Sequence, residues 1–216
     1  MTTPSPLTNM AALSNVVQAA KLLSFAREAA HSQKRFFWQW LNAVFNRYDR
    51  DRIKEIGPDR AAAEWLIRCG AAVRWSGAIK FHSDYNTLPS TSSNAYKIEE
   101  IDATDSSIME IGFPYLKELT LLKSINLTRC NFLGDKALQM LQLRKDSLEK
   151  VNVISCGNVT DAGVKSLAEL TKLRYLELFD LPGVRDREAV LEHFNQLLPT
   201  CKVDFPDVNE TTKPKK

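Results

Sequence analysis

The apolar positions of this chain change their period along its length. Between residues 36 and 75 they recur at helical spacing. From residue 98 onward short alternating runs give way to helical spacing and return, several times over. Phe37, Trp40, Leu41, Val44 and Tyr48 fall three and four apart and predict an amphipathic helix that Gly57-Pro58 stops. Pro58 needs no N–H donor in a first turn and Asp59 complements the helix dipole, so a second helix is expected to start there. It carries Ala62, Ala63, Leu66, Ile67 and Ala71. Trp40 and Trp65 are expected in the core of this helical block, since large aromatics are highly buried on average. Trp38 lies off the stripe and is a candidate exposed partner contact. Residues 76–97, with Ser76-Gly77, Asn86, Pro89 and Ser90-Thr91-Ser92-Ser93, read as loop.

The second half repeats. Segments starting at Ile98, Leu122, Leu148 and Leu173 align on an anchor column of Ile101, Ile125, Val151 and Leu176, separated by 24, 26 and 25 residues. That spacing falls in the leucine-rich-repeat range of about 20–29. Two residues after the anchors stand Ala103, Leu127, Val153 and Leu178, the alternation of a strand with one buried face. Ser106, Cys130, Cys156 and Leu181 follow at five, and Leu133, Val159 and Val184 at eight. Asp135, Asp161 and Asp186 stand at ten, each before a helical pattern, where a carboxylate can cap a helix. The first repeat lacks this Asp. Cys201, Val203 and Phe205 suggest a closing edge strand. The predicted fold is α/β: a short right-handed leucine-rich-repeat solenoid of strand-turn-helix units over 98–207, about four repeats plus the closing strand. A helical capping domain over 36–75 precedes it. One such unit cannot bury its apolar face alone, whereas a stack can.

The strand positions that face away from the core form a row, Asn126, Asn152 and Glu177 with Asp102 before them, and are candidate partner-binding residues. Charge sharpens this picture. Residues 1–35 hold Lys21, Arg27, Lys34 and Arg35 against Glu28 alone, which accounts for the formal net charge of +3 and leaves the rest of the chain balanced. A neutral body excludes nucleic acid, which is bound through clustered Lys and Arg. The basic, acid-poor, Ser-containing start, with Leu13, Val16, Val17, Ala20 and Leu23 near helical spacing, predicts a mitochondrial transit peptide over 1–35. Residues 208–216, with Lys213, Lys215 and Lys216, read as a solvated tail.

Candidate chemistry is sparse. Cys69, Cys130, Cys156 and Cys201 form no CxxC pair and stand at no metal spacing from His31, His82 or His193. Cys130 and Cys156 share one repeat column and are expected to pack as small apolar residues. Nucleotide-binding, metalloprotease and nucleophile-elbow motifs do not occur, so no enzyme is expected. No apolar run approaches the roughly 20 residues that span a bilayer.

Two blocks carry more specific information. The strings FFWQWLNAVFNRYDRDRIKEIGPDRAAAEWLIRCGA and YKIEEIDATDSSIMEIGF, with VISCGNVTDAGV and LFDLPGVRD downstream, resemble the mitochondrial ATP synthase subunit s family, also called coupling factor B. The similarity runs from about Phe36 to about Cys201. The resemblance implies a matrix-side, peripheral protein of the mitochondrial inner membrane. It implies association with the membrane-sector side of ATP synthase and support of coupled proton conduction, by blocking a proton leak. It also implies Mg²⁺ bound through the backbone carbonyls of Gly70 and Thr104. The family's Cys-x-Cys in the second repeat reads Thr128-Arg129-Cys130 here, so its dithiol cannot form. A related reading makes the chain an assembly factor for the membrane arm of complex I, with assembly intermediates as partners. A third, a ubiquitin-ligase substrate adaptor, is disfavoured because the helical block does not look like an F-box. Self-association is a further partner class.

Overall fold

The computed structural model describes residues 37–89 and 96–206. The expected transit segment and tail lie outside the described residues. The chain divides into two units between Leu41 and Asn42. In the first, residues 37–41 are helical, and the rings of Phe37 and Trp38 meet edge-on with centroids 5.7 Å apart. Trp38 is 59% exposed, and Trp40, expected in a core, is 60% exposed. The aromatic core of the larger unit is instead built on Trp65.

The helix expected to run to Gly57 is broken in two. Helix α1, residues 37–45, ends at Asn46. Helix α2, Arg50–Ile56, starts afresh because the Asp49 side chain accepts the N–H groups of Asp51 (3.0 Å) and Arg52 (2.9 Å). The Tyr115 hydroxyl fixes the link between them, accepting from the Asp49 N–H (2.9 Å) and donating to the Arg47 carbonyl (3.3 Å). Helix α3, Pro58–Arg68, begins with Pro58 in its first turn, as its missing donor allows. Asp59 does more than complement the dipole. It is buried, accepts the Ile98 N–H (2.9 Å) and pairs with Lys97 (2.9 Å), so it ties α3 to the first repeat.

Six strands follow: β1 (Ala72–Trp75), β2 (Ile98–Asp102), β3 (Ser124–Thr128), β4 (Lys150–Ile154), β5 (Tyr175–Phe179) and β6 (Lys202–Asp204). They form one sheet in chain order, parallel throughout except that β1 runs antiparallel to β2. β1 lies inside the stretch read as helical. Gly70, at φ +88°, turns the chain away after α3, and Val73 and Trp75 then alternate inward. The closing strand expected near Val203 is β6.

The anchor column of the sequence is the register of the sheet. Ile101 pairs with Ile125, Ile125 with Val151, Val151 with Leu176, and Leu176 with Val203. The first four are fully buried, and each such side chain contributes about 1.5–3 kcal/mol relative to exposure. Helices α4 (Asp135–Met140), α5 (Asp161–Ser166) and α6 (Arg187–Leu197) return the chain from strand to strand. After β2 the return is a 3₁₀ segment, Glu110–Glu118, with Pro114 inside it. Proline has no N–H to continue an α-helical ladder.

Of Asp135, Asp161 and Asp186, the last alone caps its own helix, accepting from the Ala189 N–H (2.9 Å). Asp135 and Asp161 sit inside their first turns and reach into the following repeat. Asp135 accepts the N–H (2.7 Å) and hydroxyl (2.6 Å) of Thr160, and Asp161 accepts the N–H groups of Arg185 (3.0 Å) and Asp186 (2.9 Å). The column of acids is a chain of staples between repeats. Gly163 makes room for it, since a Cβ there would overlap Asp135.

A second polar anchor lies in the cap. Glu64, with only 5% of its side chain exposed, accepts from Arg52 (3.1 and 2.9 Å) and from Arg60 (3.1 Å). Burial pushes its carboxyl up, but the guanidinium bonds outweigh this and hold it below the usual 4.5. A folded value below the unfolded one stabilises fully above about pH 4.5 and is lost as pH falls through the folded value. Urea midpoints measured from pH 7 to pH 3 should therefore fall below pH 4.5, and Glu64→Gln should flatten that decline. A variant with the same pH profile as the parent would show that Glu64 contributes nothing to it.

Candidate binding surface

The strands present one face to the helices and one away from them. On the outer face the sheet register lines up Asp102, Asn126, Asn152, Glu177 and Asp204 side by side. The expected row Asn126, Asn152 and Glu177 is thus brought together on adjacent strands. Asp204 extends it and was not singled out from the sequence. Continuing the anchor column to Val203 would have found it. A parallel row, two residues earlier on each strand, holds Glu100, Ser124, Lys150, Tyr175 and Lys202.

The two ends of this face differ. At the first repeats it is internally satisfied. Asn126 donates to Asp102 (3.0 Å) and to the Thr104 hydroxyl (3.0 Å), and accepts from the Thr128 hydroxyl (2.7 Å). Thr128, where the family pattern has its first cysteine, is therefore part of a polar network. Arg74 closes the edge through Glu99 (3.1 Å) and Glu100 (2.6 Å). At the last repeats the face is open. Lys150 and Lys202 stand 5.3 and 5.8 Å from the centre of the Tyr175 ring, flanking it. Burial, then the negative fields of Glu177 and Asp204, push the Tyr175 phenol up. Among the described residues Glu177 and Asp204 form no ion pair. The Asn152 side-chain oxygen is buried without a hydrogen-bond donor.

Behind the face lies the cysteine column. Cys130 and Cys156 are fully buried and unpaired, and their thiols donate to the carbonyls of Ala103 (3.0 Å) and Leu127 (3.3 Å). The neighbouring Cys156 thiol, followed by burial, pushes the Cys130 thiol up. A thiol used as a donor in the core is not a nucleophile.

Gly70 and Thr104 flank the junction of cap and first repeat. The Cys69 carbonyl accepts the N–H (2.8 Å) and hydroxyl (3.2 Å) of Ser107, which draws the turn after β2 against the end of α3. A Cβ on Gly70 would lie 3.9 Å from the Cα of Ser106. The N–H and hydroxyl of Thr104 both donate to Asp102 (3.1 and 2.6 Å), leaving its carbonyl free of that turn's bonds. Among the described residues no group of three or more His, Cys, Asp or Glu could hold a metal. A cation at the junction would rest on neutral oxygens and water, a donor set that fits a hard ion such as Mg²⁺.

Asn46 binds the same junction from within, and nothing in the sequence marked it. It is fully buried, yet every polar atom is used. Its oxygen accepts from Trp65 Nε1 (3.0 Å) and the Met109 N–H (2.7 Å), and its amide donates to the carbonyls of Asn42 (2.9 Å) and Ser107 (2.9 Å).

A stack of strand-turn-helix units, sealed at one end by helices and carrying one polar outer strand face, defines an α/β repeat scaffold. No helix among the described residues is long and apolar enough to cross a membrane. No family model matches the chain. Relatives over most of the chain do. It is 49% identical to rat mitochondrial ATP synthase subunit s over 187 residues, covering 85% of this chain and 93% of the relative. It is 48% identical to the bovine protein and 49% to the human protein of that name, each over 173 residues, 78% of this chain and 86% of the relative. The chain belongs to the mitochondrial ATP synthase subunit s family.

Proposed function

We propose that this protein is a non-catalytic leucine-rich-repeat factor that associates with ATP synthase at the matrix side of the mitochondrial inner membrane and supports coupled proton conduction. The observation that carries the reading is the near-half identity to proteins named ATP synthase subunit s over most of both chains. The outer strand face of Asn126, Asn152 and Glu177 is the docking surface in this reading, because a rigid sheet presents its residues at fixed spacing. Tagged protein should recover ATP synthase from mitochondria solubilised in mild detergent. Recovery of complex I assembly intermediates without ATP synthase would reverse the assignment.

Mg²⁺ on the carbonyls of Gly70 and Thr104 belongs to the same proposal, as a brace between cap and first repeat. Neutral donors make it a weak site. Mg²⁺ at millimolar concentration should shift the amide resonances of residues 70–71 and 104–106 and leave those of β5 in place. Unmoved resonances at about 10 mM would remove the ion from the account.

A further inference from the structure

At the last repeats the outer face carries two adjacent carboxylates that form no ion pair among the described residues. Glu177 and Asp204 stand side by side on β5 and β6. Neither finds a cationic partner among the described residues, while the nearby Lys150 and Lys202 lie over the Tyr175 ring on the parallel row. Asn152, next in the row, holds a buried acceptor oxygen with no donor. Two residues further along the strands, Ile154 and Phe179 pair across β4 and β5, half-buried on the same face. One face thus offers two carboxylates and, two residues further along the strands, an apolar strip.

Resting on the reading that this face is a docking surface, we infer that its occupant is a cationic amphipathic segment of a partner protein. A Lys or Arg of that segment meets Glu177 and Asp204, and an apolar side chain covers Ile154 and Phe179. Charge complementarity of this kind sets orientation and partner choice as much as affinity. Asn126 lines the same face but offers the occupant no unpaired group, because Asp102, Asn126, Thr104 and Thr128 already satisfy one another.

The test uses the purified full chain and two synthetic 14-residue helical peptides of leucine with lysine or leucine with glutamate. The Lys peptide should shift the Asn152 side-chain amide and the backbone amides of Glu177, Phe179 and Asp204. Glu177→Gln with Asp204→Asn should weaken it about tenfold, and Lys136→Gln, exposed on α4 at the helical side, should leave it unchanged. The inference is overturned by equal binding of the Glu peptide, by shifts that map elsewhere, or by equal binding to the neutralised variant. Shifts on this face that grow with the protein's own concentration would show that a second copy covers it, and overturn it too. None of these outcomes depends on recovery of ATP synthase from mitochondria, so the two readings fail separately.

Discussion

Replacing Trp65 by alanine is expected to lower the unfolding free energy by about 3–5 kcal/mol, or roughly 6–20 °C in melting temperature. Trp65 is fully buried, stacked on Tyr115 at 5.4 Å and edge-on to Phe113 at 6.1 Å. Both partners come from the 3₁₀ segment of the first repeat, so the indole joins the cap to the array. Its removal leaves a large cavity and takes one donor from Asn46. Gly112 makes the effect diagnostic. A Cβ at Gly112 would overlap the indole, so Gly112→Ala should cost about 1–3 kcal/mol by overpacking. In the Trp65→Ala background the same change should be nearly silent, because the new methyl enters the cavity. Denaturant unfolding of the four proteins of this cycle checks it. Additive losses would place the two residues in separate environments.

The second large effect is at Asn46. Asn46→Ala leaves the N–H groups of Trp65 and Met109 without an acceptor and the Ser107 carbonyl without a donor. Each orphaned group costs about 1–3 kcal/mol, so the three together should cost about 3–9 kcal/mol. Asn46→Asp separates satisfaction from shape. It keeps the acceptor but buries a charge, so it should be destabilised at neutral pH. Relative to the parent it should recover as pH falls, since the protonated acid is uncharged and can donate to Ser107. A pH-independent difference between Asn46→Asp and the parent would contradict this account of the junction.

Trp65 was legible as a core residue and is one, whereas Asn46 was not. The register of the sheet could be read residue by residue, because an alternating strand with one buried face admits only one in-phase alignment of Ile101, Ile125, Val151 and Leu176. The row Asn126, Asn152 and Glu177 followed from the same phase. The acids at Asp135 and Asp161 were seen but assigned to the wrong partners. A capping carboxylate and an inter-repeat staple have the same local signature, and only the stacking of the next turn selects between them. β1 was missed because four residues after a helix carry too little period to reveal an antiparallel strand. Asn46 left no signal, since a buried, fully bonded Asn on a helix stripe looks like a solvated one. The left-handed residues Asp105, Arg129, Ser155 and Asp180, one in each of four repeats, were equally silent. None is the glycine that normally announces that conformation, and each holds it because the following residue, Ser106, Cys130, Cys156 or Leu181, must turn inward to the core.

In the proposed function the outer strand face docks on ATP synthase. A photo-reactive residue in place of Asn152, introduced into the full chain and activated in intact mitochondria, tests face and partner at once. The account predicts a covalent adduct with a subunit of the ATP synthase membrane sector, absent when the probe sits on the helical side at Gln142. An adduct with complex I components, or equal ATP synthase adducts from positions 152 and 142, would contradict it.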